Sequence, residues 1–146
     1  MSYFESVEVG ESSQTAGRTV TAADVVNFAG VSGDFNHHHT DEERMSDTEY
    51  GGRIVHGAFV FSAMTGLLWQ ARTTEEREAV IAFYGVDSLR FTAPTYVGDT
   101  IHVEIEVLEK TPREHPRANG TVRYGVEVVT QNDETVLACE LLSLMR

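Results

Sequence analysis

Residues Ser32-Gly33-Asp34-Phe35-Asn36-His37-His38-His39-Thr40 crowd a carboxylate, a carboxamide and three imidazoles into nine positions. An aspartate and a histidine five residues apart in a loop can turn toward one point. Around a shared water they form an acid–base pair, because imidazole titrates near neutrality and burial raises a carboxylate toward it. The plain alternative is that Asp34 caps a turn. Metal binding by His37, His38 and His39 is disfavoured. Consecutive side chains of an extended chain point to opposite sides, and no cysteine or second histidine cluster supplies further ligands. The expectation is therefore a site without a metal.

A second group lies at His56-Gly57, ahead of a long apolar run. A helix starting there offers free backbone N–H groups and a partial positive charge. Glycine at that point lets another molecule approach the backbone closely. Such an N–H can hold an oxygen on which negative charge develops. The plain reading is that Gly57 only relieves crowding. Thr65, two turns on, is expected to place its hydroxyl on the carbonyl four residues back.

The elements that must position these groups can be read from pattern. Thr21 is a good N-cap, with Asp24 in the first turn and apolar Val25, Val26, Phe28 and Ala29 following. Gly30 to Gly33 end that helix, which puts Asp34 to His39 in a loop just beyond it. Asp41 to Tyr50 is polar, with room for one irregular helical turn or two, and Gly51-Gly52 breaks it. Residues 57–72 read as a helix apolar on nearly every side, which must be enclosed. Arg72 to Arg77 is a polar exit. Beyond it, Ile101, Val103, Ile105 and Val107 alternate with polar residues, as do Val122, Tyr124, Val126 and Val128. Val80 to Phe91 and Thr135 to Met145 are further strands, and a short earlier one falls near Gly17 to Val20. Turn signals at Ala93-Pro94, Gly98-Asp99, Ala118 to Gly120 and Asn132-Asp133 separate them. The expected fold is α+β: a single hot-dog domain over 1–146, with an antiparallel sheet wrapped around a long central helix.

Bulk properties bound the function. The 146 residues fit one domain. With 23 acidic against 11 basic residues the formal charge is -12, and Lys110 is the only lysine. Such a surface repels phosphate, so no nucleic-acid partner is expected. It is either an ordinary acidic surface or one adapted to high salt, where screening removes self-repulsion. The apolar stretch Ile54 to Ala71 is too polar for a membrane span, and no secretory leader opens the chain. Cys139, without a partner, fits a cytoplasmic protein and a small buried side chain.

Together these residues carry a resemblance. Ser32 to Asn36 with His39 and Asp41 resembles the signature of the MaoC-like (R)-specific enoyl-CoA hydratases. Arg53-Ile54-Val55-His56-Gly57 is similar to that family's second block. Ser88 to Pro94 followed by Val97-Gly98-Asp99-Thr100 resembles its later strand–turn–strand block, and the likeness runs from about Val9 to the C-terminus. The resemblance implies a lyase, working as a homodimer or a higher even oligomer. Its reaction is reversible syn hydration of a trans-2-enoyl-CoA to an (R)-3-hydroxyacyl-CoA. It implies Asp34 and His39 as the catalytic pair and Gly57 as the N–H donor to the thioester carbonyl, with Asn36, His56 and Thr65 in support. Coenzyme A enters as part of the substrate, with no cofactor required. Arg53 and Arg90 are the arginines nearest the motif blocks. The family pattern has proline and then an aliphatic residue after the asparagine, where this chain has His37 and His38. A hot-dog acyl-CoA thioesterase and a non-catalytic acyl-CoA-binding subunit are the alternatives.

Overall fold

The computed structural model describes all residues, Met1–Arg146. Six helices and six strands follow in the order α1 (Tyr3–Ser6), β1 (Ser12–Gln14), β2 (Arg18–Thr19), α2 (Ala22–Ser32), α3 (His37–Thr40), α4 (Glu42–Ser46), α5 (Gly57–Ala71), α6 (Thr74–Ala79), β3 (Val80–Phe91), β4 (Thr100–Pro112), β5 (Gly120–Val129) and β6 (Thr135–Met145). The strands form one antiparallel sheet in the order β1-β4-β5-β6-β3, with β2 pairing β4 near its start. This is the expected hot-dog architecture: a long sheet laid along one helix, α5, which contacts β4 and β6.

Period-two alternation drives the sheet. In β5, Val122, Tyr124, Val126 and Val128 are buried while Arg123 and Glu127 face outward. In β6, Leu137, Cys139, Leu141 and Met145 do the same. These side chains meet Phe59, Val60, Ala63, Met64, Leu67 and Leu68 of α5 in one continuous core. Cys139 is the small buried side chain expected of it, and burial pushes its thiol pKa up to about 11.

Several elements differ from the sequence expectation. Helix α5 is not enclosed all round: Ala58, Ser62, Thr65 and Trp69 form one exposed stripe at helical spacing. A single sheet covers only one face of a helix, and small or polar residues occupy most of the uncovered line. The polar exit after Arg72 includes a short helix, α6, held by a capping box in which Thr73 and Glu76 satisfy each other's backbone N–H. The same device, using Ser2 and Glu5, builds α1. No helix is long and apolar enough to cross a membrane.

Two local features aim the site. Gly33 closes α2 in the left-handed region (φ 77°), its N–H donating to Ala29 O, and this turn delivers Asp34. In β3, a register irregularity between Asp87 and Arg90 includes Ser88 at φ 54°. Bulges of this kind re-aim the following side chains. Here Phe91 arrives against the start of α5, where a Cβ added to Gly57 would fall 2.8 Å from its ring.

Candidate active site

Residues 37–40 are a helical turn rather than the expected loop. Asn36 is its N-cap, accepting from His38 N at 2.9 Å. The turn is what separates the three histidines. His39 is carried inward, 8% exposed, while His37 and His38 remain part-exposed. The sequence signal was present, since asparagine is a strong N-cap, but a four-residue helix has no periodicity to read.

Asp34 lies just before this turn. Its Oδ1 accepts from Asn36 Nδ2 at 2.6 Å and from Asn36 N at 3.2 Å. The Asn36 side-chain bond, then its backbone bond, hold the Asp34 pKa below the usual carboxylate value. Its other oxygen, Oδ2, faces His39 Nε2 at 3.8 Å, too far for a direct hydrogen bond. His39 Nδ1 is 2.7 Å from Ile54 O. A carbonyl only accepts, so Nδ1 carries the hydrogen and Nε2 presents a lone pair toward Asp34. Burial pushes the His39 pKa down and keeps the ring neutral near pH 7. Two acceptors thus face each other across a gap that one water, about 2.8 Å from each, would bridge.

His56 binds this group to the central helix. It is 2% exposed, and its ring stacks on His39 with centroids 3.7 Å apart and packs edge-on against Phe28. Its Nε2 donates to Asp34 O at 2.9 Å, so Nε2 holds the hydrogen and Nδ1 is left buried without a partner. Directly after it, Gly57 is the first residue of α5. Its N–H has no acceptor in the helix, as at any first turn, and the helix dipole adds to its pull on negative charge.

A cleft of about 470 Å³ opens over His39 and Gly57, walled by Tyr50, Ile54, Phe91 and Pro94 among others. Its mixed lining suits a ligand with an apolar portion and one polar anchor. Asp34, His39 and His56 also offer metal-ligating atoms within 4.8 Å of one another. Each imidazole spends one nitrogen on a backbone carbonyl, His39 Nδ1 on Ile54 O and His56 Nε2 on Asp34 O, which leaves one lone-pair nitrogen on each ring.

The structure thus brings Asp34, Asn36, His39, His56 and Gly57 together. Thr65 is apart from them, exposed on α5, its hydroxyl donating to Ser62 O at 2.6 Å, three residues back rather than four. Arg53 pairs with Glu42 at 3.0 Å, and Arg90 is exposed, donating to Leu89 O. Phe59, Met64 and Leu67 are core, and Trp69 is exposed beneath Arg77.

A hot-dog domain whose central helix begins beside an Asp–His pair is the class that fold and site define. Family comparison then gives the membership: residues 5–130 match the family described as "MaoC like domain", and the chain belongs to it. Protein MaoC of Klebsiella aerogenes is 41% identical over 132 residues, which is 85% of this chain but 38% of that protein's length. The (R)-specific enoyl-CoA hydratase of Aeromonas caviae is 36% identical over 103 residues, covering 70% of this chain and 72% of the relative. Among solved structures, one described as a monoamine oxidase regulatory protein from Archaeoglobus superposes with a TM-score of 0.91 at 37% identity. It covers 99% of this chain and 94% of the other.

Proposed function

We propose that this protein is an (R)-specific enoyl-CoA hydratase, adding water reversibly and syn to a trans-2-enoyl-CoA. The observation that carries this reading is the pair of acceptors, Asp34 Oδ2 and His39 Nε2, 3.8 Å apart beside the free N–H of Gly57. The family's named hydratases support it.

In this reading the thioester carbonyl accepts from Gly57 N–H, which draws electrons from the double bond and leaves C3 electrophilic. A water donating to both Asp34 and His39 has its oxygen lone pair free for C3. The new O–C3 bond forms as the π electrons move to the carbonyl oxygen as an enolate. The Asp34–His39 pair takes one proton from the water, and C2 receives one from the pair as the enolate collapses. Both events occur on the side of the substrate facing the pair, so addition is syn. Asn36 fixes the Asp34 carboxylate. His56 fixes the Asp34 backbone relative to His39 and Gly57. The protein works as a homodimer or a higher even oligomer, with local arginines offsetting its overall negative charge toward coenzyme A.

The test is to supply crotonyl-CoA and longer enoyl-CoAs to the purified protein at low and high salt. Loss of the enoyl absorbance and formation of the (R)-3-hydroxyacyl product are expected. Release of free thiol without hydration would assign a thioesterase instead. Binding without turnover would assign a non-catalytic acyl-CoA-binding subunit.

A further inference from the structure

His38 stands at an ordinary surface position, yet its side chain is tied to the reactive carboxylate. Asn36 Nδ2 lies 2.6 Å from Asp34 Oδ1. An ionised carboxylate only accepts, so the nitrogen of the Asn36 carboxamide must face Asp34 and its oxygen must face away. That oxygen lies 2.9 Å from His38 N and 2.9 Å from His38 Nδ1. It too only accepts, so His38 Nδ1 must carry a hydrogen. The direction of every bond in this chain follows from the charge on Asp34. His38 Nδ1–H donates to Asn36 Oδ1, and Asn36 Nδ2–H donates to Asp34 Oδ1. Asp34 Oδ2 is thereby left as the free oxygen, the one that faces His39.

The surroundings of His38 hold its ring in place for this. The ring stacks on His37 with centroids 4.2 Å apart and 29° between planes, and the His39 ring is 6.3 Å away. Its backbone carbonyl accepts from Ile54 N at 3.0 Å, and Ile54 O in turn holds His39 Nδ1. One residue therefore braces both partners of the pair, Asp34 through its side chain and His39 through Ile54. Rotating the Asn36 carboxamide by half a turn would set oxygen against carboxylate and lose both His38 donors.

We propose that His38 is a positioning residue. It pins the Asn36 carboxamide in one orientation and so selects which oxygen of Asp34 is presented to the reaction. The role adds stiffness to a turn in which no proline ring locks φ after Asn36. This inference rests on the proposed hydratase reading for its kinetic consequence, but its geometry can be tested without turnover.

The first arm is nitrogen NMR on protein labelled at histidine. His38 is expected as the Nδ1–H tautomer in the wild type, contrary to the Nε2–H form that free neutral histidine favours. It is expected to shift toward Nε2–H in Asn36→Ala. A wild-type His38 in the Nε2–H form overturns the proposal. The second arm is kinetic. His38→Leu removes the δ-position donor and is expected to lower kcat about fivefold, the size of one hydrogen bond, with KM little changed. His38→Asn keeps a donor at that position and is expected to recover kcat to within about twofold of wild type. An unchanged kcat in His38→Leu, or no recovery in a folded His38→Asn, overturns the proposal. If the wild type itself hydrates no enoyl-CoA, the functional reading fails while the tautomer measurement still decides this one.

Discussion

Acidic side chains are treated in opposite ways at two places in this molecule. Asp34 has one oxygen saturated by Asn36 and the other left facing His39, and its backbone carbonyl is held by His56. On the outer face of the sheet, Glu104 of β4 stands directly opposite Glu127 of β5, both exposed. Glu106 and Glu140 join them around a shallow hollow of about 740 Å³. Arg123 answers Glu140 and Asp87 there at 2.8 and 2.7 Å, and His102 lies 3.4 Å from Glu104, but the Glu104–Glu127 pairing keeps like charges abreast. The larger hollow is the poorer site. In the proposed reading an acid becomes chemically useful when donors fix its orientation, as Asn36 does for Asp34, whereas Glu104 and Glu127 face each other as like charges.

This contrast can be broken first at the oriented acid. Asp34→Ala and His39→Ala are each expected to cut hydration of crotonyl-CoA about a thousandfold, the usual size of a lost general acid–base group. Asp34 is half-exposed, so its replacement should leave the melting temperature nearly unchanged; a large loss of fold would deny that its role is chemical. Gly57→Ala comes next. The new Cβ would fall 2.8 Å from the Phe91 ring, so that ring, which walls the cleft beside Gly57, must shift. A loss of about tenfold in kcat/KM is expected, smaller than removal of the donor itself. Adding Phe91→Ala should restore much of it, and a double variant as poor as the single one would place the fault elsewhere.

A pH effect of intermediate size follows from His39. Its folded pKa is pushed below the ordinary value of 6.5 by burial. Between that depressed value and 6.5 the unfolded chain binds more protons, so stability contributed by neutral His39 is full above 6.5 and is lost as pH falls through the window. Activity follows the same direction, since only the neutral ring presents a lone pair to water. A rate profile rising from acid with its midpoint below pH 6.5 is expected; a rate that increases on acidification would contradict it.

The smallest effect belongs to the sheet face. If the acidic surface is adapted to salt, the melting temperature rises toward molar salt, and Glu127→Gln raises it by a few degrees in dilute buffer while flattening the salt dependence. A melting temperature flat or falling with salt in the wild type would rule that adaptation out.

The same contrast explains what could be read from the sequence. The sheet was legible because burial on one face writes a period of two, as in Ile101 to Val107 and Val122 to Val128. The capped start of α2 at Thr21 and its end at Gly33 were legible because each obeys a local rule. The helical turn at His37 was not, since four residues show no period and its cap, Asn36, was absorbed into a motif. Helices α1 and α6 carried a readable signal, Ser2 with Glu5 and Thr73 with Glu76, that polarity masked. The exposed stripe on α5 was hidden because an apolar count ignores where Ala58, Ser62 and Thr65 fall around the helix. At the site, the motif resemblance singled out Asp34, His39 and Gly57, which the structure brings together, while the bond directions that link His38, Asn36 and Asp34 exist only in three dimensions.

In the proposed mechanism the Asp34–His39 pair directs both the hydroxyl and the proton of water to one face of the substrate. Hydration of crotonyl-CoA in deuterium oxide, with the product read by proton NMR, tests it most directly. A single deuterium at C2, on the same face as the new C3 oxygen of an (R) product, is the expected result. Deuterium on the opposite face, a mixture of both, or no hydrated product would rule out syn hydration by this pair.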